Sequence, residues 1–297
     1  MKNNSKAIFF ALLSVLLWST VAVPFKIGLS HFHYIHFVFI TITIAVLVSF
    51  VALLLQKKLK LLRILTRKEL QLSVFGGFLN PFLYYLILFK AYSILPAQIA
   101  QALNYTWPIM LVLLSVPFLG QKLKLKSMAT LLLGFMGVYF IASQGQPWPL
   151  KPAQPFGVML AIGSSVIWAS FWIINTKSVL DVSLNLFLNF CTGWVLTVPL
   201  LFLIPLPANI PIIGWSAAVY SGVFEMGITF IVWLMALKLA DRSDTISNFV
   251  FLSPFMSLFF IYLILHEQIY LTTLLGLGLI IAAIFIDKWM AGQKKSS

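Results

Sequence analysis

Ten apolar runs, each about as long as the helix that crosses roughly 30 Å of hydrocarbon, limit this chain more than any other feature. They fall at 7–29, 34–55, 70–92, 97–119, 126–143, 155–176, 183–205, 212–237, 246–266 and 269–288. Of the 297 residues 61% are hydrophobic and only 9% charged, more apolar surface than a soluble core can hide, whereas a bilayer solvates it. Hydrocarbon offers no water to backbone groups, so each run must satisfy its own N–H and C=O groups and therefore forms a helix. The expected fold class is all-α integral membrane, with ten transmembrane helices.

The formal charge of +13 would suit nucleic acid only if the basic residues shared one surface. They lie instead in short loops between apolar runs, which makes them a topology signal and argues for no nucleic-acid partner. With a cytoplasmic N-terminus, all of the 20 Lys and Arg residues except Lys26, Lys90 and Lys151 fall on the cytoplasmic side, as the positive-inside rule requires. Ten spans then leave both termini cytoplasmic, in a multi-pass protein of the inner (cytoplasmic) membrane. The N-terminal MKNNSK and the apolar run behind it read as an uncleaved first span, since no A-x-A-like site precedes a polar region. The single Cys191 sits in an apolar run and has no partner for an intrachain disulfide.

One pattern occurs twice. In SSVIWASFWIINTK, from Ser164 to Lys177, Ser164, Ser165, Trp168, Trp172 and Asn175 share one helical face. In SVLLWSTVAVPFK, Ser14 answers Ser164, Trp18 answers Trp168, and Lys26 answers Lys177 at a one-residue slip. The echo continues through FKAYS at Phe89–Ser93 and LKLAD at Leu237–Asp241, Pro108 and Pro254, and Gln121 and Glu267. The Pro-rich break Gln144–Pro155 separates the two copies. Residues 1–145 and 155–290 are thus expected to be two five-helix repeats. Because five is odd, the copies enter the membrane from opposite sides and form an inverted repeat.

LLWSTVAVPFK and VIWASFWIINTK, with LHEQ at Leu265–Gln268, resemble the doubled motif of the drug/metabolite transporter superfamily, in its EamA-like, ten-helix exporter branch. The resemblance covers nearly the whole chain. It implies secondary transport of a small metabolite, often an amino acid or nucleobase-type compound, through a central cavity between the halves. Two positions depart from the family's pattern: Gln121 stands where the first half commonly has Glu, and His36 near where the second helix often carries Arg.

Glu225 lies about 13 residues into the eighth run, roughly 20 Å deep at ~1.5 Å per residue. A charged side chain at that depth costs about 2.5 to 3.5 kcal/mol on insertion scales, so Glu225 is the candidate for proton coupling or for a substrate ammonium. Packing as a hydrogen-bonded acid is the plainer alternative. Gln98, Gln101 and Tyr105 follow one face of the fourth run, and Asn80 and Tyr84 sit beside Pro81 in the third. Asn175, Asn189 and Asn248 add amides on the sixth, seventh and ninth runs. Each amide would be uncompensated in lipid and should point inward, toward substrate or toward a neighbouring helix. Trp18, Trp168 and Trp172 are too deep for the interfacial aromatic belt and are candidates for stacking on substrate. Lys26, Lys90, Lys177 and Lys238 fall at run ends and are expected to snorkel. Glu267 is expected to cap the tenth helix.

There is no P-loop, HExxH, GxSxG or CxxC, so nucleotide drive and familiar hydrolytic chemistry lack their residues. The sequence reads as a secondary active transporter and not an enzyme. It would move a small metabolite outward by alternating access, with proton coupling, as a monomer or homodimer, with no cofactor and no metal. The alternative is an integral-membrane enzyme acting on a lipid-linked substrate. Its nearest support is the short charged stretch Asp241–Asp244.

Overall fold

The computed structural model describes residues 4–120, 125–146, 154–175, 178–205, 207–239 and 248–292. Gln121, Lys122, Lys124, Lys151, Lys177, Asp241, Arg242, Ser243, Asp244 and Ser247 lie outside them, as do the terminal lysines 2, 294 and 295 and most of the Pro-rich break. The side chains of Lys126, Lys238, Asn248 and Lys288 are likewise outside the described part.

Helices occupy all ten expected places. Seven are long and apolar enough to cross a membrane: α1 (Asn4–His31), α2 (Tyr34–Leu55), α3 (Arg67–Ile94), α4 (Ala97–Phe118), α6 (Pro155–Asn175), α7 (Val182–Leu203) and α8 (Ile212–Trp233). Three shorter apolar helices complete the series: α5 (Ala129–Ala142), α9 (Phe249–Leu265) and α10 (Leu271–Ile286). Starts are set by local chemistry. Thr66 and Glu69 form a reciprocal capping box at α3, with Glu69 Oε2 accepting from the Thr66 backbone N–H at 2.8 Å. Asp181 caps α7 through Ser183 N–H.

Helix packing displays the inverted repeat directly. α1 packs on α8 as α6 packs on α3, α2 on α8 as α7 on α3, and α1 on α9 as α6 on α4. The remaining two large contacts, α2 with α7 and α5 with α10, each pair a helix with its own counterpart and so lie on the pseudo-twofold axis. The first helix of each half therefore packs against the other half.

Interruptions concentrate in the helices that carry polar groups. α3 breaks at a wide turn over Phe78–Leu83, where Asn80 is extended and precedes a cis Pro81. α4 turns at Tyr105–Thr106, and α8 widens over Ser221–Ile228 around Glu225. Such wide turns free backbone groups at points where side chains must be re-aimed. α2, α6 and α10 run unbroken.

One end of the bundle carries Lys57, Lys58, Lys60, Arg63, Arg67 and Lys68 between α2 and α3, and is called the lysine-rich end. There Lys58 Nζ meets Asp181 Oδ2 at 2.8 Å and Ser183 Oγ donates to Gln56 at 3.0 Å. Burial alone would raise the Asp181 pKa, but the Lys58 bond and charge and the α7 N–H groups outweigh it and hold the carboxyl below its usual range.

α5 and α10 approach most closely through glycine. A Cβ on Gly137 would stand 2.5 Å from the Gly276 carbonyl oxygen, and one on Gly276 2.5 Å from that of Gly137. Gly276→Val should therefore destabilise the detergent-solubilised protein by about 1–3 kcal/mol through overpacking. Gly278→Val, where nothing lies within 4 Å, should leave the thermal midpoint close to wild type. Equal midpoints for the two variants would refute this account of the interface.

Candidate functional site

Glu225 is presented by the widened turn of α8 and is 7% exposed. Its Oε1 accepts a hydrogen bond from Tyr85 Oη on α3 at 3.1 Å, while its buried Oε2 has no partner among the described residues. Tyr84, Tyr85, Tyr92 and Tyr105 all stand close enough to feel the Glu225 charge. The acid on α8 thus sits among phenols of α3 and α4, with one oxygen held by Tyr85.

From Tyr84 a second line of bonds runs to α6. Tyr84 Oη donates to Asn104 Oδ1 (3.1 Å), and Asn104 Nδ2 donates to Ser164 Oγ (2.9 Å). One residue further along α6, Thr106 Oγ1 donates to Ser165 Oγ at 2.9 Å. The Tyr84 ring lies 4.7 Å from Trp168 at 33°, and 4.7 Å from Tyr85. Trp168 in turn faces Phe230 at 5.8 Å, and Phe230 faces Trp18 at 5.9 Å. The two indoles of the repeated motif therefore flank one phenyl ring on α8, and Trp233 closes on Trp18 at 5.4 Å.

The other expected residues are spread more widely. Trp172 lies 6.0 Å from Trp168, with its buried Nε1 unpartnered. Tyr105 lies in α4's turn beside Ser253 of α9, which also meets Ser19 Oγ at 3.4 Å. Gln101 accepts from the Tyr92 hydroxyl. Asn80 is buried with its Oδ1 unpartnered. Gln98 is fully engaged elsewhere: its Nε2 donates to Gln268 O (2.7 Å), and its Oε1 accepts from Tyr270 N–H (3.0 Å) and Thr273 Oγ1 (3.2 Å).

Asn175 and Asn189 belong to a separate group near the lysine-rich end. Ser73 Oγ donates to Asn185 Oδ1 (3.0 Å) and Asn185 Nδ2 to Asn175 Oδ1 (2.6 Å). Asn175, Asn185 and Asn189, with Gly76 and Phe171, line a small cleft of about 10 Å³, room for about one water, between α3, α6 and α7. Phe171, which lines the cleft, lies 5.9 Å from Trp168. Asn248 opens the first turn of α9.

Two expectations change. Glu267 does not cap α10, which starts four residues later at Leu271. Its carboxylate crosses to the start of α4, where Oε1 accepts from Ala97 N–H (2.8 Å) and Oε2 from Gln98 N–H (3.3 Å). Lys26 does not snorkel but turns inward, donating to the carbonyl oxygens of Tyr92 (2.9 Å) and Leu95 (2.6 Å) at the end of α3. Lys90 stands 5.1 Å over the Tyr34 ring. Tyr85 and Asn104 were missed as site residues. The face read from Asn80 to Tyr84 assumes an unbroken helix, and the extended Asn80 rotates the residues behind it.

Ten apolar helices in inverted pairs around a buried acid and its phenols define a membrane transporter. The sequence matches the EamA-like transporter family over residues 5–143 and again over 155–286, and the chain belongs to that family, within the drug/metabolite transporters. It is 24% identical over 289 residues to "Uncharacterized transporter YoaV" of Bacillus subtilis (strain 168), covering 94% of this chain and 96% of that one. It is 26% identical over 160 residues to "Aromatic amino acid exporter YddG" of Ancylobacter novellus, covering 53% and 55%. A solved crystal structure, 22% identical, superposes with a TM-score of 0.67 over 98% of this chain and 99% of that one, which shows a shared fold.

Tyr85→Phe leaves Glu225 with neither oxygen bonded, and stripping a buried acceptor of its partner costs about 1–3 kcal/mol. Glu225→Met orphans the Tyr85 hydroxyl in the same way. The double variant should therefore lose less stability than the two single losses added together, as read by thermal unfolding in one detergent. Strict additivity would show that the pair is not coupled.

Proposed function

We propose that this protein is a secondary active exporter of a small metabolite, an amino acid or nucleobase-like compound, working by alternating access in the inner membrane with both termini cytoplasmic. The lysine-rich end would then be the cytoplasmic one. The two units 1–145 and 155–290, each lending its first helix to the other, would rock around the Glu225 region. One observation carries this reading: Glu225 is buried between the halves with Oε1 held by Tyr85 and Oε2 free.

A free carboxylate oxygen in a low-dielectric interior takes a proton or an ammonium group, and either exchange relieves the cost of an unpaired buried acceptor. Tyr84 and Trp168 supply flat faces beside it, suited to a ring or to a cation. Trp18, Trp172, Tyr105, Gln101 and Asn80 would complete the substrate-binding surface. Asn175 and Asn189 would act at the entry cleft, and Gln98 through the helix junction it holds. The relative named as an aromatic amino acid exporter supports the same class of cargo.

The test begins with a screen of radiolabelled amino acids and nucleobases for efflux from cells with and without the protein. The best substrate is then followed in proteoliposomes with and without a pH gradient. Glu225→Gln should abolish the gradient's effect and lower the rate at least tenfold. Wild-type rates that remain gradient-sensitive in Glu225→Gln would remove Glu225 from coupling.

A further inference from the structure

The stretch between α2 and α3 is ordered beyond what a connection needs. Residues Leu59–Ile64 form a short 3₁₀ helix, in which residues three apart stand in line. Lys60 and Arg63 therefore share one row, Leu61 and Ile64 the next, and Leu59 and Leu62 the third. A basic row beside apolar rows is the pattern of a helix lying at a membrane surface. Ile64 is 72% exposed, and Leu55 just before the helix is 79% exposed, so apolar surface here is left uncovered by the protein. The 3₁₀ helix makes no extensive contact with any other helix among the described residues.

Lys57, Lys60, Arg63, Arg67 and Lys68 are exposed along this stretch, and among the described residues none of them pairs with a carboxylate. The described carboxylates nearby are already engaged. Asp181 accepts from Lys58 at 2.8 Å, and Glu69 folds back on Thr66 in the cap of α3. The Lys58–Asp181 pair, with Ser183 Oγ donating to Gln56, ties the stretch to the start of α7 and so fixes where its bases stand. Topology alone asks only for positive charge at this end. An ordered basic row beside exposed Ile64, tied down at Gln56 and Lys58, complements a phosphate headgroup with acyl chain beneath it.

We propose that the α2–α3 stretch is a binding site for anionic phospholipid, with Lys60 and Arg63 on the headgroup phosphate and Leu61 and Ile64 against the upper acyl chain. A zwitterionic headgroup brings its own cation and gains little from the basic row, whereas each Lys or Arg near an anionic lipid surface strengthens binding roughly fivefold. The site stands on residues apart from the Glu225 region and does not depend on what the protein carries or how transport is driven.

The experiment titrates the full-length protein, in a neutral detergent, with phosphatidylglycerol, phosphatidylcholine or inorganic phosphate and follows the thermal midpoint, which a ligand of the folded state raises by mass action. Phosphatidylglycerol should raise the midpoint saturably, and the other two should leave it in place. In Lys60→Gln/Arg63→Gln the concentration giving half the rise should increase at least tenfold. Lys90→Gln, at the far end of α3, should stay within twofold of wild type. Ile64→Ser keeps every charge and should weaken the response about threefold or more, which carries the test should the charge variant fail to fold. An equal rise with phosphatidylcholine would overturn the proposal by removing the role of charge, and an equal rise with phosphate by removing that of the lipid. An unchanged phosphatidylglycerol response in the folded charge variant, or no response in the wild type, would overturn it as well.

Discussion

Hydrocarbon gives a buried polar group no solvent to fall back on, and this structure answers that constraint by passing hydrogen bonds from helix to helix. Tyr84, Asn104 and Ser164 join α3, α4 and α6, while Thr106 and Ser165 repeat the link between α4 and α6 beside it. Ser19 and Ser253 join α1 to α9, and Thr20 and Tyr220, 2.7 Å apart, join α1 to α8. Against this background an unpartnered atom stands out, because the bundle has the means to pair it. Glu225 Oε2, Asn80 Oδ1 and Trp172 Nε1 are such atoms. Each costs free energy.

The breaks and the polar groups have a common origin. A regular helix consumes every backbone group and presents side chains at a fixed 3.6-residue period. The wide turn at Ser221–Ile228 delays the period by part of a turn and aims Glu225 at Tyr85. The extended Asn80 does the same for the tyrosine pair behind it. α6 has no break, and it carries the groups that others come to: Ser164, Ser165 and Trp168 receive α3 and α4 and face α8.

This division explains what was legible in the sequence. Helix number and limits followed from apolar run length, which the bilayer sets. The pairing of halves followed from the repeated SVLLW and SSVIW segments, whose indoles meet Phe230 from two sides. Glu225 stood out because a carboxylate in an apolar run has a large cost. Tyr85 was hidden because reading one helical face from Asn80 to Tyr84 presumes regular geometry through the stretch that is irregular. Glu267 and Lys26 were misread for a related reason. Local rules assign a terminal charge to its own helix or to the headgroups, whereas here Lys26 reaches the end of α3 and Glu267 the start of α4 in the other half. Only tertiary proximity could reveal that, and the repeat pattern carried no distances.

The exchange of first helices bears on how such a bundle can move. Were residues 1–145 and 155–290 to shift as intact blocks, α6 would leave α3 and α4 and break the Asn104–Ser164 and Thr106–Ser165 bonds, stranding several buried groups at once. α1 would leave α8 and α9 with a similar loss at Ser19–Ser253 and Thr20–Tyr220. A motion that keeps α6 with α3 and α4, and α1 with α8 and α9, preserves all of these. It concentrates change on contacts that pair like with like across the axis, among them the single Tyr85–Glu225 bond between α3 and α8. The same motion also meets the Lys26 and Glu267 bonds to the α3–α4 turn at one end of the bundle. An acid on that dividing line bonds across both bodies at once.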